Sequence, residues 1–406
     1  MTDSEFSTLA AAGLGRDAKD DVRAINAMDR TRYDSSRHLA HATEQARERN
    51  YADFLIVDAD AHHYENESWP DIVKYIEDPI LRHRAELGRP PLDRSNVDQN
   101  RAGRIYASSR RRYEEVPGDV PRDVTLIRRE MDAIGIDYQI VFPTPMLHLG
   151  MHPDKFMETQ LSWAYSRWMT EEILPHDNRI KTMVYLPFND PEASLRTVEY
   201  FSGKPGVAGF MVTGPRYKPV HDNAYMAVYR ALEERDLPLG FHAGYHSSER
   251  IMEGMNRFLS VHALGFVLYS MVHLTNLVIN GIPERFPGLK VLWIESGLAW
   301  VPFLMQRLDN EYLMRTSEAP LLKKKPSEYM RENFYYTTQP MEYDNLKALQ
   351  LTMEMINAET QLLFASDFPH WDFNLPSTVY DLPFLSEHAK RRILGENARE
   401  LFKLDS

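Results

Sequence analysis

Asp60 and His62 are separated by one residue, and on an extended backbone that spacing turns a carboxylate and an imidazole to the same face. Two groups of the same kind stand far away in the chain: His242, in Gly240-Phe241-His242-Ala243-Gly244, and Asp367, in Ala365-Ser366-Asp367. Two imidazoles and two carboxylates form a donor set for a catalytic divalent metal, zinc first, then manganese or iron, with a position left for water or substrate. Asp367 is read either as an anionic ligand or as a base toward bound water. Taken singly, each residue has an ordinary explanation, because a buried histidine usually satisfies a hydrogen bond and an aspartate often caps a turn. Their joint position at the ends of apolar runs is what points to a metal site.

Those runs are Phe54–Asp60, Tyr138–Thr144, Ile180–Phe188, Val207–Thr213, Leu237–Ala243, Leu289–Glu295, Phe334–Gln339 and Leu362–Asp367. Most are continuous and not alternating, which suits strands of a parallel sheet buried on both faces. Helical patterns lie between them: Glu192–Phe201, opening after a proline turn, Asn223–Arg235, and a long stretch over 262–285 punctuated by Gly281 and Pro287. Eight strands alternating with helices predict a (β/α)₈ TIM barrel. A doubly wound open sheet would need a glycine-rich phosphate turn after the first strand, and the sequence there is Ala-His-His-Tyr-Glu-Asn-Glu-Ser. In a barrel, catalytic groups belong at the C-terminal ends of strands, where Asp60, His62, Thr213, His242, Glu295, Gln339 and Asp367 all fall.

Two regions stand outside the alternation. Residues 1–50 read as a charged, helical N-terminal arm, and the barrel as 51–406. Within the barrel, 64–130 form a lid-like insertion rich in proline and arginine, a type of segment that usually covers a site or makes an oligomer contact. Arg104 or one of Arg110, Arg111 and Arg112 could reach a substrate carboxylate, although an arginine run is usually a solvated face.

The 406 residues carry a net charge of -12 and no cysteine. The acidic balance disfavours nucleic acid and anionic membranes as partners. Without thiols there is no disulfide, thiolate nucleophile or Cys-type zinc site, so any metal is held by His and carboxylates. No signal peptide is apparent and no run approaches transmembrane length, so a cytoplasmic protein is expected. The partners expected are a small-molecule substrate and further copies of the chain.

The segments VDADAHHYE, GFHAG, GIPERFPGLKVLWIESGLAW and LLFASDFPHWD, with the closing ENARELF, resemble the amidohydrolase-related family from about Asp53 to Phe402. That family holds aminocarboxymuconate-semialdehyde decarboxylase, hydroxybenzoate decarboxylases and hydrolases of ring-cleavage products. The resemblance implies metal ligation by Asp60, His62, His242 and Asp367. It departs at the sixth strand, where such decarboxylases typically carry histidine and this chain has Glu295. Glu295 is read as an extra ligand, as a base, or as a partner that orients a ligand histidine. His262 lies in a segment that often brings a histidine toward the pocket in the family, and as a catalytic group it could fill the vacancy left by that histidine. His370, Trp371 and His148 are candidates to line the substrate pocket; Trp371 could equally be packing.

From these readings the leading expectation is a hydrolase: metal-activated water, Asp367 or Glu295 as proton acceptor, and a small aromatic or ring-cleavage-derived carboxylic acid as substrate. The alternative is non-oxidative decarboxylation of an aromatic or semialdehyde acid, against which the missing sixth-strand histidine counts. A non-catalytic scaffold barrel is the third reading, and the ligand quartet argues against it.

Overall fold

A computed structural model of the chain describes residues 35–87, 116, 118–216, 218–244, 252, 254–255, 257–370 and 372–405. The apolar runs become eight strands: β1 (Val57–His63), β2 (Tyr138–Pro143), β3 (Ile180–Tyr185), β4 (Val207–Thr213), β5 (Leu239–His242), β6 (Val291–Ile294), β7 (Phe334–Thr337) and β8 (Leu362–Leu363). They follow one another in chain order, each parallel to the next. β8 is short, so closure onto β1 is made by the segment beyond it. Ala59 N–H donates to the Phe364 carbonyl (2.9 Å), Asp367 N–H to the Asp60 carbonyl (2.8 Å) and His62 N–H to the Phe368 carbonyl (2.8 Å). The fold is the expected (β/α)₈ barrel.

Helices return the chain between strands. Arg122–Ile134 leads into β2, Lys155–Trp168 leaves it, and Pro191–Phe201 and Met226–Glu234 follow β3 and β4. Asp190 caps the Pro191 helix by accepting from Ala193 N–H at 3.1 Å, which starts the helix where the proline turn predicts it. The helical stretch expected over 262–285 begins earlier, at Phe258, and breaks into Phe258–Ile279 and Ile282–Arg285. The break is at Gly281, whose φ of +67° and contact with Leu321 leave no room for a side chain.

One expectation is corrected by this helix. Leu259–Ile279 is long and apolar enough to cross a membrane by length and composition. His262 and His273 interrupt the run and hide it from a reading by eye. The helix joins β5 to β6, neighbouring strands of one barrel, and packs Phe266, Leu274, Leu277 and Val278 inward.

The insertion also ends differently from its expected boundary at 130, because the helix Arg122–Ile134 runs across that point into the barrel wall. Its central part, with Arg104, Arg110, Arg111 and Arg112, lies outside the described residues. The described part of the N-terminal arm, Ser35–Glu48, buries Leu39 and Ala42 in the main core. Arg49 then clamps Asp381 with two hydrogen bonds of 3.0 and 2.8 Å.

Candidate active site and metal centre

β1 turns Asp58, Asp60 and His62 to one side by its period of two, and all three are buried. His62 Nδ1 lies 3.0 Å from the Pro143 carbonyl, and His242 Nδ1 lies 2.9 Å from the Ala243 carbonyl. A carbonyl only accepts, so each Nδ1 carries the proton and each Nε2 is turned to the barrel interior. There His62 Nε2 stands 3.2 Å from Asp60 Oδ1 and 3.2 Å from Asp367 Oδ1, and His242 Nε2 stands 3.3 Å from Asp60 Oδ1. Glu295 Oε2 is 3.6 Å from His242 Nδ1.

Two overlapping groups could therefore hold an ion: Asp60, His62, His242 and Glu295, and His62, Glu295, Asp367 and His370. Asp367 meets the first group through His62. The electrostatics suit a cation. Burial works to raise the Asp60 pKa, yet the His242 and His62 imidazoles win and hold it well below the usual carboxylate range. Burial pulls His62 down, while Asp60 and Asp367 outweigh it and keep its pKa well above the ordinary value. A proton drawn this strongly to His62 occupies the place a divalent ion would take. Asp60 Oδ2, buried, has no hydrogen-bond partner among the described residues, which a metal would supply. The donor set fits one divalent cation.

Glu295 and Asp367 share a backbone feature invisible in sequence. Both follow the end of a strand in the left-handed region, with φ of 57° and 58°. For a residue with a Cβ that conformation costs about 1–2 kcal/mol, and such residues cluster at functional sites. Thr337 Oγ1 holds the strained Glu295 by accepting its N–H at 3.1 Å.

The remaining candidates divide. His370 belongs to the centre: its ring stacks on that of His62 at 4.2 Å, and its Nδ1 bonds Asp367 Oδ1 at 2.6 Å. Thr144 Oγ1 sits 3.3 Å from His370 Nε2. His262 lies in neither ion-holding group and meets Asp372 Oδ2 at 3.4 Å. His148 is buried on the turn Pro145–Met151 beyond β2, also outside both groups. Trp371 lies outside the described residues. Two further buried histidines are structural: His63 bonds Asp123 (2.9 Å) and Tyr165 (2.8 Å), and His273 bonds the Gly214 carbonyl (2.7 Å).

Sequence reasoning passed over Asp58. This buried carboxylate accepts from Asp60 N–H (3.2 Å), Ser366 N–H (2.8 Å), Ser366 Oγ (2.5 Å) and Gln139 Nε2 (3.2 Å). It thereby ties β1, β2 and the segment after β8 together directly beneath Asp60 and Asp367. Glu65, also buried, accepts the Thr144 and Met146 N–H groups at 2.9 and 2.6 Å and shapes the loop after β2.

Residues 57–404 match the family described as Amidohydrolase, and the chain belongs to that family. Among curated relatives, the gamma-resorcylate decarboxylase of Polaromonas sp. (strain JS666) is 26% identical over 253 residues, covering 59% of this chain and 74% of that protein. The gamma-resorcylate decarboxylase of Rhodococcus jostii (strain RHA1) is 24% identical over 258 residues, 58% of this chain and 74% of that protein. Among solved structures, the 5-carboxyvanillate decarboxylase of Sphingomonas paucimobilis shares the fold with a TM-score of 0.65 at 21% identity, over 87% of this chain and 100% of that one. A dihydroxybenzoic acid decarboxylase from Polaromonas sp. JS666, with bound manganese and 2-nitroresorcinol, gives a TM-score of 0.65 at 21% identity, over 87% and 98%.

These relatives overturn the expectation of hydrolysis through metal-activated water, since they are decarboxylases. The physical reason for the error is local. The histidine missing from the sixth strand counted against decarboxylation, but His370 brings an imidazole beside Glu295, with Nδ1 3.9 Å from Glu295 Oε1.

Proposed function

We propose that this protein is a metal-dependent, non-oxidative decarboxylase of a hydroxylated aromatic acid. The observation that carries the reading is the Asp367–His370 pair set against the Asp60, His62 and His242 donors inside a wholly buried centre. Relatives that are gamma-resorcylate decarboxylases support it.

Asp60, His62 and His242 would hold the cation, with Glu295 completing the set. Bound there, a divalent ion supplies positive charge to anchor oxygen substituents of the substrate. Asp367 delivers a proton to the ring carbon that bears the carboxylate. The bond from that carbon to the carboxylate breaks, its electron pair returns to the ring, and carbon dioxide leaves. His370, bonded to Asp367, orients that carboxylate and returns a proton to it. His148 lines the mouth beyond β2. Manganese is favoured over the zinc first expected, because a relative of the same fold holds manganese, and carboxylate-rich sites accept it.

The test is carbon dioxide release from a panel of hydroxybenzoates by protein reconstituted with manganese or with zinc. No release from any member with either metal would refute the reading.

Self-association is inferred as well. The helices Phe258–Ile279 and Trp300–Met314 leave Leu259, Leu264, Val272, Phe303, Leu313 and Met314 exposed. The first of these helices carries no Asp, Glu, Lys or Arg, so two copies could meet along it without burying charge. Light scattering on the purified chain would show a single-chain mass if this inference is wrong.

A further inference from the structure

Beside the metal centre, at the ends of β7 and β8, lies a polar group that the proposed chemistry leaves unused. Thr338 N–H donates to the Leu363 carbonyl at 2.9 Å, and Ala365 N–H donates to Thr338 Oγ1 at 3.0 Å. This register sets Gln339 alongside Ser366 and Asp367. The chain then turns back, with Asn374 N–H donating to the Ser366 carbonyl at 2.8 Å, which brings Asp372 over the same edge.

Gln339 is fully buried, and its Nε2 faces both Asp372 Oδ2 (3.2 Å) and the Asp372 carbonyl (3.4 Å). Two acceptors fix the orientation of the amide, because the reversed side chain would set oxygen against oxygen. The same Asp372 Oδ2 lies 3.4 Å from His262 Nε2. With Oδ2 shared in this way, Gln339 Oε1 and Asp372 Oδ1 remain buried with no hydrogen-bond partner among the described residues. A buried acceptor left unmatched costs about 1–3 kcal/mol, and a pair of them side by side at the strand ends calls for a donor from outside.

We propose that Gln339 and Asp372, steadied by His262, form the specificity wall of the site and select an aromatic ring that presents a hydroxyl there in preference to one that presents a second carboxylate. The inference rests on the decarboxylase reading and narrows its substrate. A phenolic hydroxyl donates to either acceptor. A carboxylate brings only acceptors and a negative charge against Asp372, and no cation among the described residues of that edge is there to pair with it. The relatives include both kinds of chemistry, resorcylate with hydroxyls and carboxyvanillate with an added carboxylate, and the wall assigns this chain to the first.

Calorimetry on the full chain loaded with manganese reads the wall without turnover. The probes are 2-nitroresorcinol and 2-nitroisophthalate, which share a ring and a nitro group and exchange hydroxyls for carboxylates. The resorcinol should bind tighter by about tenfold or more. Asp372→Asn, which keeps size and removes the charge, should narrow that ratio at least several-fold while leaving manganese affinity and melting temperature in place. Gln339→Met, which keeps length and removes the acceptor, should weaken the resorcinol alone. Equal or reversed preference in the unaltered protein, or a ratio indifferent to both substitutions, overturns the proposal. Failure of the decarboxylase reading shows up separately, as absent carbon dioxide from hydroxybenzoates with the binding preference intact.

Discussion

Two layers of the barrel interior, one pleat apart on β1, treat the same residue type in opposite ways. In the lower layer, Asp58 is surrounded by four donors from three parts of the chain and is fully matched. In the upper layer, Asp60 faces two imidazoles and keeps an oxygen without a hydrogen-bond partner among the described residues. Burial pushes Asp58 up to about 7 in spite of its donors, whereas the imidazoles drive Asp60 down against the same burial. Both carboxylates are inaccessible to solvent, so burial alone does not mark a ligand. What separates them is whether the protein finishes the coordination itself or leaves it for a cation.

That contrast can be broken from the top downward. Asp60→Asn should cost the most, weakening manganese binding by more than about a hundredfold, beyond what loss of an outer partner removes; calorimetric titration of metal into stripped protein measures it, and near-normal affinity would dismiss Asp60 as a ligand. Asp367→Asn should lower turnover by about 10²–10⁴-fold, the usual contribution of a positioned acid, with the fold intact by circular dichroism. Retained turnover would remove its assigned role. Asp58→Asn should act more gently, loosening metal by about 10–100-fold through the backbone of Asp60 and Ser366, and an unchanged affinity would show that the lower layer serves the fold alone.

The smallest effect concerns pH. Asp58 is raised from 3.8 to about 7 in the folded chain. Between those values the unfolded chain has already released this proton while the folded one keeps it. Its contribution to stability is therefore full below about 4 and lost as pH rises toward 7. Thermal melts of metal-free protein across that window should fall less steeply in Asp58→Asn than in the parent, and parallel curves would contradict the assignment.

The barrel was legible because parallel strands covered on both faces need long apolar runs, and that pattern survives in sequence as Val207–Thr213 and its counterparts. Strand ends were less legible. Leu362–Asp367 reads as one strand, but pairing with β7 stops at Leu363 and the remainder turns inward to close on β1. Asp60 and His62 could be placed together from spacing alone, since period two fixes their common side. The partnership of Asp367 with His370 depends on a left-handed backbone at Asp367, which nothing in the letters reveals. Asp58 escaped notice for a related reason: its four donors come from residues 2, 81 and 308 positions away. Gln339 was seen at a strand end, while Asp372 gains meaning only from the turn that folds it back.

The seam between β1 and the segment after β8 joins Asp58 to Ser366 across 308 residues. At ordinary elongation rates that interval lasts about 15–60 s on the ribosome. Through all of it β1 is made but lacks the neighbour that closes the barrel onto it. Closure therefore waits for the segment after β8, and a chain halted before Phe364 would emerge as an open sheet, without the seam that holds Asp58 and Asp60 in place.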